Sequence, residues 1–282
     1  MVISDILNNI IDNSPWRNYL HDIYNQVDKP CLYYEHLDVI HPADKPVVDA
    51  YNKRRKSDCQ FNRHLLAVPF QGNPLSAKVV FLTLNPGYIE RINKDAAQML
   101  DAENIGCTRF SLRIHEYWSA CYDHRASSIF PSKKENRDVY TAFQILGDWY
   151  WHDMFAPLRR DTGLEDDAFA EKVAIMQLIP YHSTRCENVT LKLKLPTQRY
   201  TKQIIHYMLK QPNCPKFVVM RSEKQWAELL DIDFQDSKYK DKFILRKRDK
   251  NNKPLRKQFI SEKAFAQPDD YAKIVNAIKT DL

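Results

Sequence analysis

The stretch Lys78–Tyr88, KVVFLTLNPGY, decides how the rest of the chain is read. Its apolar, β-branched-rich run breaks at once into Asn85-Pro86-Gly87-Tyr88. An uninterrupted apolar run of that length, bounded by turn residues, suits a strand buried on both faces of a parallel sheet. Pro86 has no N–H to give to a ladder, and Gly87 admits backbone geometry that other residues resist. The strand therefore ends there, with the polar Asn85 at its carboxyl end, the edge at which open α/β sheets bind ligands. A buried strand followed by an ordinary turn is the plain alternative.

Outward from this stretch, a second strand is predicted at Val173–Ile179 (VAIMQLI), ended by Pro180-Tyr181-His182-Ser183. A third lies at Lys216–Met220, followed by a helix at Glu223–Leu230, and a fourth at Lys242–Leu245. Val2–Val27 reads as two helices parted at Asp12–Pro15, with Ser14 as N-cap and Pro15 at the first position of the second. Further helices are predicted at Pro42–Lys56, Ile89–Leu100, part of Arg109–Tyr122, Asn136–Met154, Gln198–Lys210 and Asp269–Ile278. Strands alternating with helices imply an α/β fold with a mostly parallel sheet. A helical N-terminal extension, residues 1–68, is expected to pack on an α/β domain at 69–282.

Composition agrees with a globular chain: 282 residues, 44% hydrophobic and 28% charged. Only 5 glycines occur, which gives weight to Gly72 and Gly87 on either side of the opening strand. The formal net charge is +6, and one segment outweighs it: Lys238–Lys257 holds ten Lys or Arg against two Asp, a net of +8. That permits a polyanionic partner. The basic run Lys53–Lys56 reads as a solvated helix end. Six cysteines (Cys31, Cys59, Cys107, Cys121, Cys186, Cys214) show no C-x-x-C spacing, which removes the usual support for zinc ribbons and redox pairs. The first residues carry acids and no basic stretch ahead of an apolar core, unlike a signal peptide. No apolar run approaches the roughly 18 residues that span a bilayer. The expectation is a cytoplasmic protein with reduced thiols, no membrane partner and no cofactor.

Phosphate-loop, dinucleotide-binding, serine-elbow and His-rich metal signatures are missing. What remains are two strands with a polar amide where the apolar run stops, Asn85 and Gln177. In a strand apolar on both faces a buried amide must find partners or be kept for a ligand. Its donors and acceptor suit the hydrogen-bonding edge of a base.

The segments AVPFQGNPLSAKVVFLTLNPGY, IMQLIPYHS and KFVVMRSEKQW, in that order, resemble the uracil-DNA glycosylase superfamily. The resemblance covers Pro69 to the C-terminus and implies a three-layer α/β/α sandwich with a short, mostly parallel central sheet. Asn85-Pro86-Gly87 looks like the Asn-Pro-Gly form of the mismatch-specific branch, with Thr83 where that family has its leading Gly. The resemblance implies that Asn85 orients the attacking water, that Gly87 lets backbone approach a flipped nucleotide, and that Gln177 bonds the base edge. Tyr88, Phe110 and Tyr117 are the aromatic candidates for lining the pocket or stacking on the base. The family's closing His-Pro-Ser is not found here, and Gln177 is one methylene longer than the family's Asn. A base other than uracil, or loss of catalysis, is consistent with these departures.

The implied activity is hydrolysis of the N-glycosidic bond of a flipped uracil-like, damaged or modified base in DNA, by a monomer serving repair or phage defence. Arg246, Lys247, Arg248, Lys250, Lys253, Arg256 and Lys257 are the candidate phosphate contacts. A solvated hairpin turning at Asp249–Asn252 explains the same run equally well. Two other functions stay open: a non-catalytic nucleic-acid-binding protein on this fold, and an enzyme acting on free nucleosides or nucleotides.

Overall fold

A computed structural model describes residues 3–26, 34, 36–86, 116–126, 154–185, 193–247, 260–265, 267 and 269–280. In chain order the helices are α1 (Ile3–Asp12), α2 (Tyr19–Tyr24), α3 (Lys45–Asn52), α4 (Ala156–Thr162), α5 (Asp166–Lys172), α6 (Gln198–Leu209), α7 (Glu223–Leu230) and α8 (Asp270–Lys279). The strands are β1 (Phe70–Gln71), β2 (Val79–Thr83), β3 (Val173–Gln177), β4 (Lys216–Val219) and β5 (Phe243–Leu245). They form one five-stranded sheet in the order β1-β3-β2-β4-β5. The fold class is α/β.

The chain divides into two compact units. The second unit comprises Gln71–Leu84, Ser127–Met176 and Met208–Leu282 and carries most of the sheet. β2 pairs parallel with β4 from Val79 opposite Lys216, and β4 pairs parallel with β5 from Phe217 opposite Phe243. Lys78 N–H donates to Lys172 O at 2.8 Å and Thr83 Oγ1 to Met176 O at 3.2 Å, so β2 and β3 also run the same way. Every residue of β2 and β3 is buried. Because successive side chains point to opposite faces, the sheet must be covered on both. On one face α8 packs against α4 and β2, and Phe81, Phe155 and Phe169 meet edge to face at centroid distances of 5.0 and 5.8 Å. Phe217 and Phe243 stack across their register at 5.0 Å. The Trp226 indole of α7 donates to Thr83 O at 3.0 Å, which anchors α7 at the carboxyl end of β2.

The first unit comprises Met1–Phe70, Asn85–Ala126 and Gln177–Tyr207. Asn62 N–H donates to His182 O, Val68 N–H to Pro180 O and Gln177 N–H to Pro69 O. Rising numbers on one side meet falling numbers on the other, so 62–69 runs antiparallel to 177–182. Trp16 meets Tyr19 edge to face at 5.3 Å and lies tilted against Tyr122 at 5.9 Å. Tyr122 hydroxyl donates to Ala67 O, and Ala67 N–H donates to the Tyr19 hydroxyl at 3.0 Å. Three distant segments are thereby tied to the approach to β1.

Several sequence expectations need correcting. Ser14 does not cap a helix: its hydroxyl accepts from Trp16 N–H at 3.2 Å in a local turn, and α2 starts only at Tyr19. This is the competition of serine side chains with helical backbone. The helix predicted over Pro42–Lys56 shortens to α3, and Arg55 beyond it lies over the Tyr51 ring, 5.5 Å from the centroid. The second strand stops at Gln177 rather than Ile179: the Leu178 carbonyl just beyond it accepts from the Gln198 side chain. Helices α4 and α5 were not expected, although Pro157 in the first turn, Arg159 and Arg160 in the last, and Gly163 beyond it are start and stop signals. The expectations for Ile89–Leu100, the Asp249–Asn252 turn and all but the last residue of Asn136–Met154 fall outside the described residues.

Candidate functional site

Asn85 lies two residues beyond the end of β2 and is half-buried. Its Nδ2 donates to Ser183 Oγ at 2.9 Å, to Pro86 O at 3.2 Å and to Tyr181 O at 3.4 Å. Two of these acceptors are backbone carbonyls, which cannot donate. The opposite amide rotamer would therefore press Oδ1 against two other acceptors, and the nitrogen is fixed on this side. No described residue donates to Oδ1, which is left as an oriented acceptor.

The partners of Asn85 are themselves held. Tyr181 hydroxyl donates to Asp44 Oδ2 at 2.7 Å, Thr197 hydroxyl to the same oxygen at 2.6 Å, and Thr197 N–H to Oδ1 at 3.0 Å. Asp44 is 0% exposed. It occupies the N-cap position of α3 without capping it, since its carboxylate faces Tyr181 and Thr197 instead. Burial, and then the charge of Asp44, push the Tyr181 phenol well above its ordinary range, so the hydroxyl stays a donor. Gln198 adds a second brace: its Nε2 donates to Leu178 O and its Oε1 accepts from Leu195 N–H, both at 2.9 Å. Asn52 holds Phe61 through paired bonds of 3.0 and 2.9 Å, next to the Asn62 N–H that donates to His182 O. The 177–183 segment is thus fixed by buried polar contacts along its length.

Gln177 is the last residue of β3 and is 2% exposed. Its chain continues within six residues to both Tyr181 and Ser183, so the two amides singled out in the sequence belong to one unit. Tyr117 is half-buried in a helical stretch at 116–122 and packs edge to face on Trp118 at 5.2 Å. Gly87, Tyr88 and Phe110 lie outside the described residues, as do Arg248, Lys250, Lys253, Arg256 and Lys257. Lys247 is exposed. Arg246 differs from the expectation of a solvated cation: it is 6% exposed.

Ser183, Asp44 and Thr197 were not legible as site residues. Tyr181 and Ser183 stood in the proline-led turn after the second strand, a signal for position without a partner. Asp44 is separated from Tyr181 by 137 residues and from Thr197 by 153, and no local pattern joins them. Among the described residues no group of three or more His, Cys, Asp or Glu gathers to hold a metal ion, and no helix is long and apolar enough to cross a membrane.

An oriented amide oxygen beside a half-buried turn can accept a hydrogen bond from water or a polar ligand; it cannot take a proton as a base. No protein-family model, curated protein or solved structure matches this chain.

Proposed function

We propose that this protein hydrolyses the N-glycosidic bond of a flipped, uracil-like, damaged or modified base in DNA, with Asn85 orienting the attacking water. The observation that carries the reading is the Asn85 amide, whose nitrogen is committed to Ser183, Pro86 and Tyr181 while no described residue donates to its oxygen. Water held by that oxygen forms a bond to C1′ as the C1′–N bond breaks; the base departs with the bonding electrons and takes up the proton that the water sheds. Because an amide is a poor base, bond breaking runs ahead of water attack and the sugar passes through an oxocarbenium-like state. Gln177, a buried amide at the end of β3, supplies donors and an acceptor for the edge of the extruded base. Tyr117 is the described aromatic that serves as a stacking candidate.

The test is incubation of the purified protein with duplexes carrying uracil, mismatched or modified bases, followed by alkaline cleavage at abasic sites. Strand breaks at the position of one altered base are expected. DNA binding with no abasic product across the set would instead make the protein a non-catalytic binder, and activity confined to nucleosides would remove DNA from the reading.

A further inference from the structure

From Asn188 to Ser222 the chain carries seven Lys or Arg and not one Asp or Glu. At the chain's average of 36 acids in 282 residues, four or five would fall in a stretch of that length. Its charge of +7 exceeds the +6 of the whole chain, so all other residues together net −1.

Helix α6 stands in the middle of this stretch. Tyr200, Thr201, Ile204, Ile205 and Met208 form its buried side. The opposite side presents Arg199 and Gln203, both exposed, with Lys202 and His206 half-exposed beside them. These four lie within about 100° of one another around the axis, and from Arg199 to His206 the helix rises about 10 Å. Lys194, also exposed, precedes the turn in which Leu195 N–H is held by Gln198. All of these residues except Met208 belong to the first unit.

Exposed helix faces ordinarily mix both signs, since an acid three or four residues from a base stabilises the helix. No acid of α6 answers its cations. Asp123, which acts on Tyr200 from outside the helix, is itself paired with Arg125. The face also holds no aliphatic residue, so it lacks the apolar core around which a protein interface closes. Cations and an amide set along about 10 Å suit a phosphate backbone, which in a duplex bears a charge on each strand every ~3.4 Å of axis. The start of α6 is tied to the segment that fixes Asn85: Thr197 donates to Asp44, and Gln198 to Leu178 O. A strand laid along α6 therefore runs towards the Asn85 turn.

We propose that the Lys194–His206 face of α6 binds the phosphate backbone of a nucleic acid. Lys194 and Arg199 make the charged contacts at the start of the helix, Lys202 extends them along it, and Gln203 adds uncharged donors to phosphate oxygens. The surface stands whether or not Asn85 acts on a base.

The test is fluorescence anisotropy of a short labelled DNA duplex, and separately of its single strand, titrated with the full chain over a series of salt concentrations. Binding to at least one of the two is expected. Lys194→Gln and Arg199→Gln should each flatten the slope of log K against log salt, by about 0.9 on the duplex or ~0.7 on the single strand. Together they should weaken binding about 10-fold or more at roughly 0.1 M salt. Both side chains are exposed, so each variant should melt with the wild type, and the two single changes test the face independently. Lys224→Gln, which removes an exposed cation of the second unit, should leave the slope as it is. No binding to either probe, equal slopes for the wild type and the double variant, or an equal fall with Lys224→Gln overturns the proposal. Displacement of the probe by polyglutamate as readily as by unlabelled DNA overturns it in favour of an acidic protein partner. Failure to form abasic sites while the α6 slopes change as expected would sink the hydrolysis reading alone. Abasic sites formed at the wild-type rate by the double variant, with its slope unchanged, would sink the α6 surface alone.

Discussion

Replacing Asp44 by Ala should destabilise the first unit severely. The carboxylate is fully buried and accepts from Tyr181 hydroxyl at 2.7 Å, Thr197 hydroxyl at 2.6 Å and Thr197 N–H at 3.0 Å. Truncation strands three buried donors at once. Each unsatisfied group costs ~1–3 kcal/mol, and the two hydroxyls can rotate to recover part of it, so a loss of about 3–6 kcal/mol is expected. Tyr181→Phe removes one donor together with its share of the acceptor's partners and should cost only about 1–2 kcal/mol. Urea unfolding followed by far-UV circular dichroism, with Asp44→Ala, Tyr181→Phe and Thr197→Val side by side, separates the terms. The effects should also be non-additive, because the three groups share one carboxylate: Tyr181→Phe should cost less in the Asp44→Ala background than in the wild type. A loss below about 1 kcal/mol for Asp44→Ala, or strict additivity, would refute it.

Three further outcomes follow from local features. His124 is 5% exposed with its pKa lowered to about 3 by burial. The unfolded chain therefore binds the proton more readily, and stability should fall as pH drops from about 6.5 towards 3, by up to ~1.4 kcal/mol per pH unit. His124→Asn, which tolerates the left-handed backbone at φ +56°, should flatten that slope in urea titrations between pH 4 and 6; an unchanged slope contradicts the assignment. Gly163 caps α4 at φ +66° with open space where a Cβ would stand, so Gly163→Ala should cost about 1 kcal/mol through backbone conformation alone, measured by thermal denaturation. Phe81→Ala empties the contact with Phe155 in the second unit and should cost ~3–5 kcal/mol by the same urea assay.

The fold was most legible where apolar runs were longest. Val79–Thr83 has no polar residue until Thr83, and every residue of it is buried where it stands between β3 and β4. Strand ends were less legible, because they depend on distant partners: just beyond Gln177 the Leu178 carbonyl accepts from the Gln198 side chain. Helices α4 and α5 are short, and their few apolar residues hide the period that marked α6 and α8. Asn85 could be picked out from Asn-Pro-Gly after a strand, but its rotamer depends on Ser183 and Tyr181, nearly a hundred residues away. Arg246 looked like one member of a solvated basic run. Its burial arises from the bridge to Phe265 and the neighbouring Lys247–Ala264 bond, contacts that charge patterning does not contain.

The most direct measurement of the central claim is the single-turnover rate of base release, on the duplex that the wild type cleaves best, for wild type, Asn85→Ala and Ser183→Ala. A loss of ~10²–10³-fold is expected for Asn85→Ala, the range for removing a preorganised polar group. A smaller loss is expected for Ser183→Ala, which frees the amide without removing its oxygen, with substrate affinity nearly unchanged in both. Base release by Asn85→Ala at the wild-type rate would contradict the role of Asn85 in orienting the water.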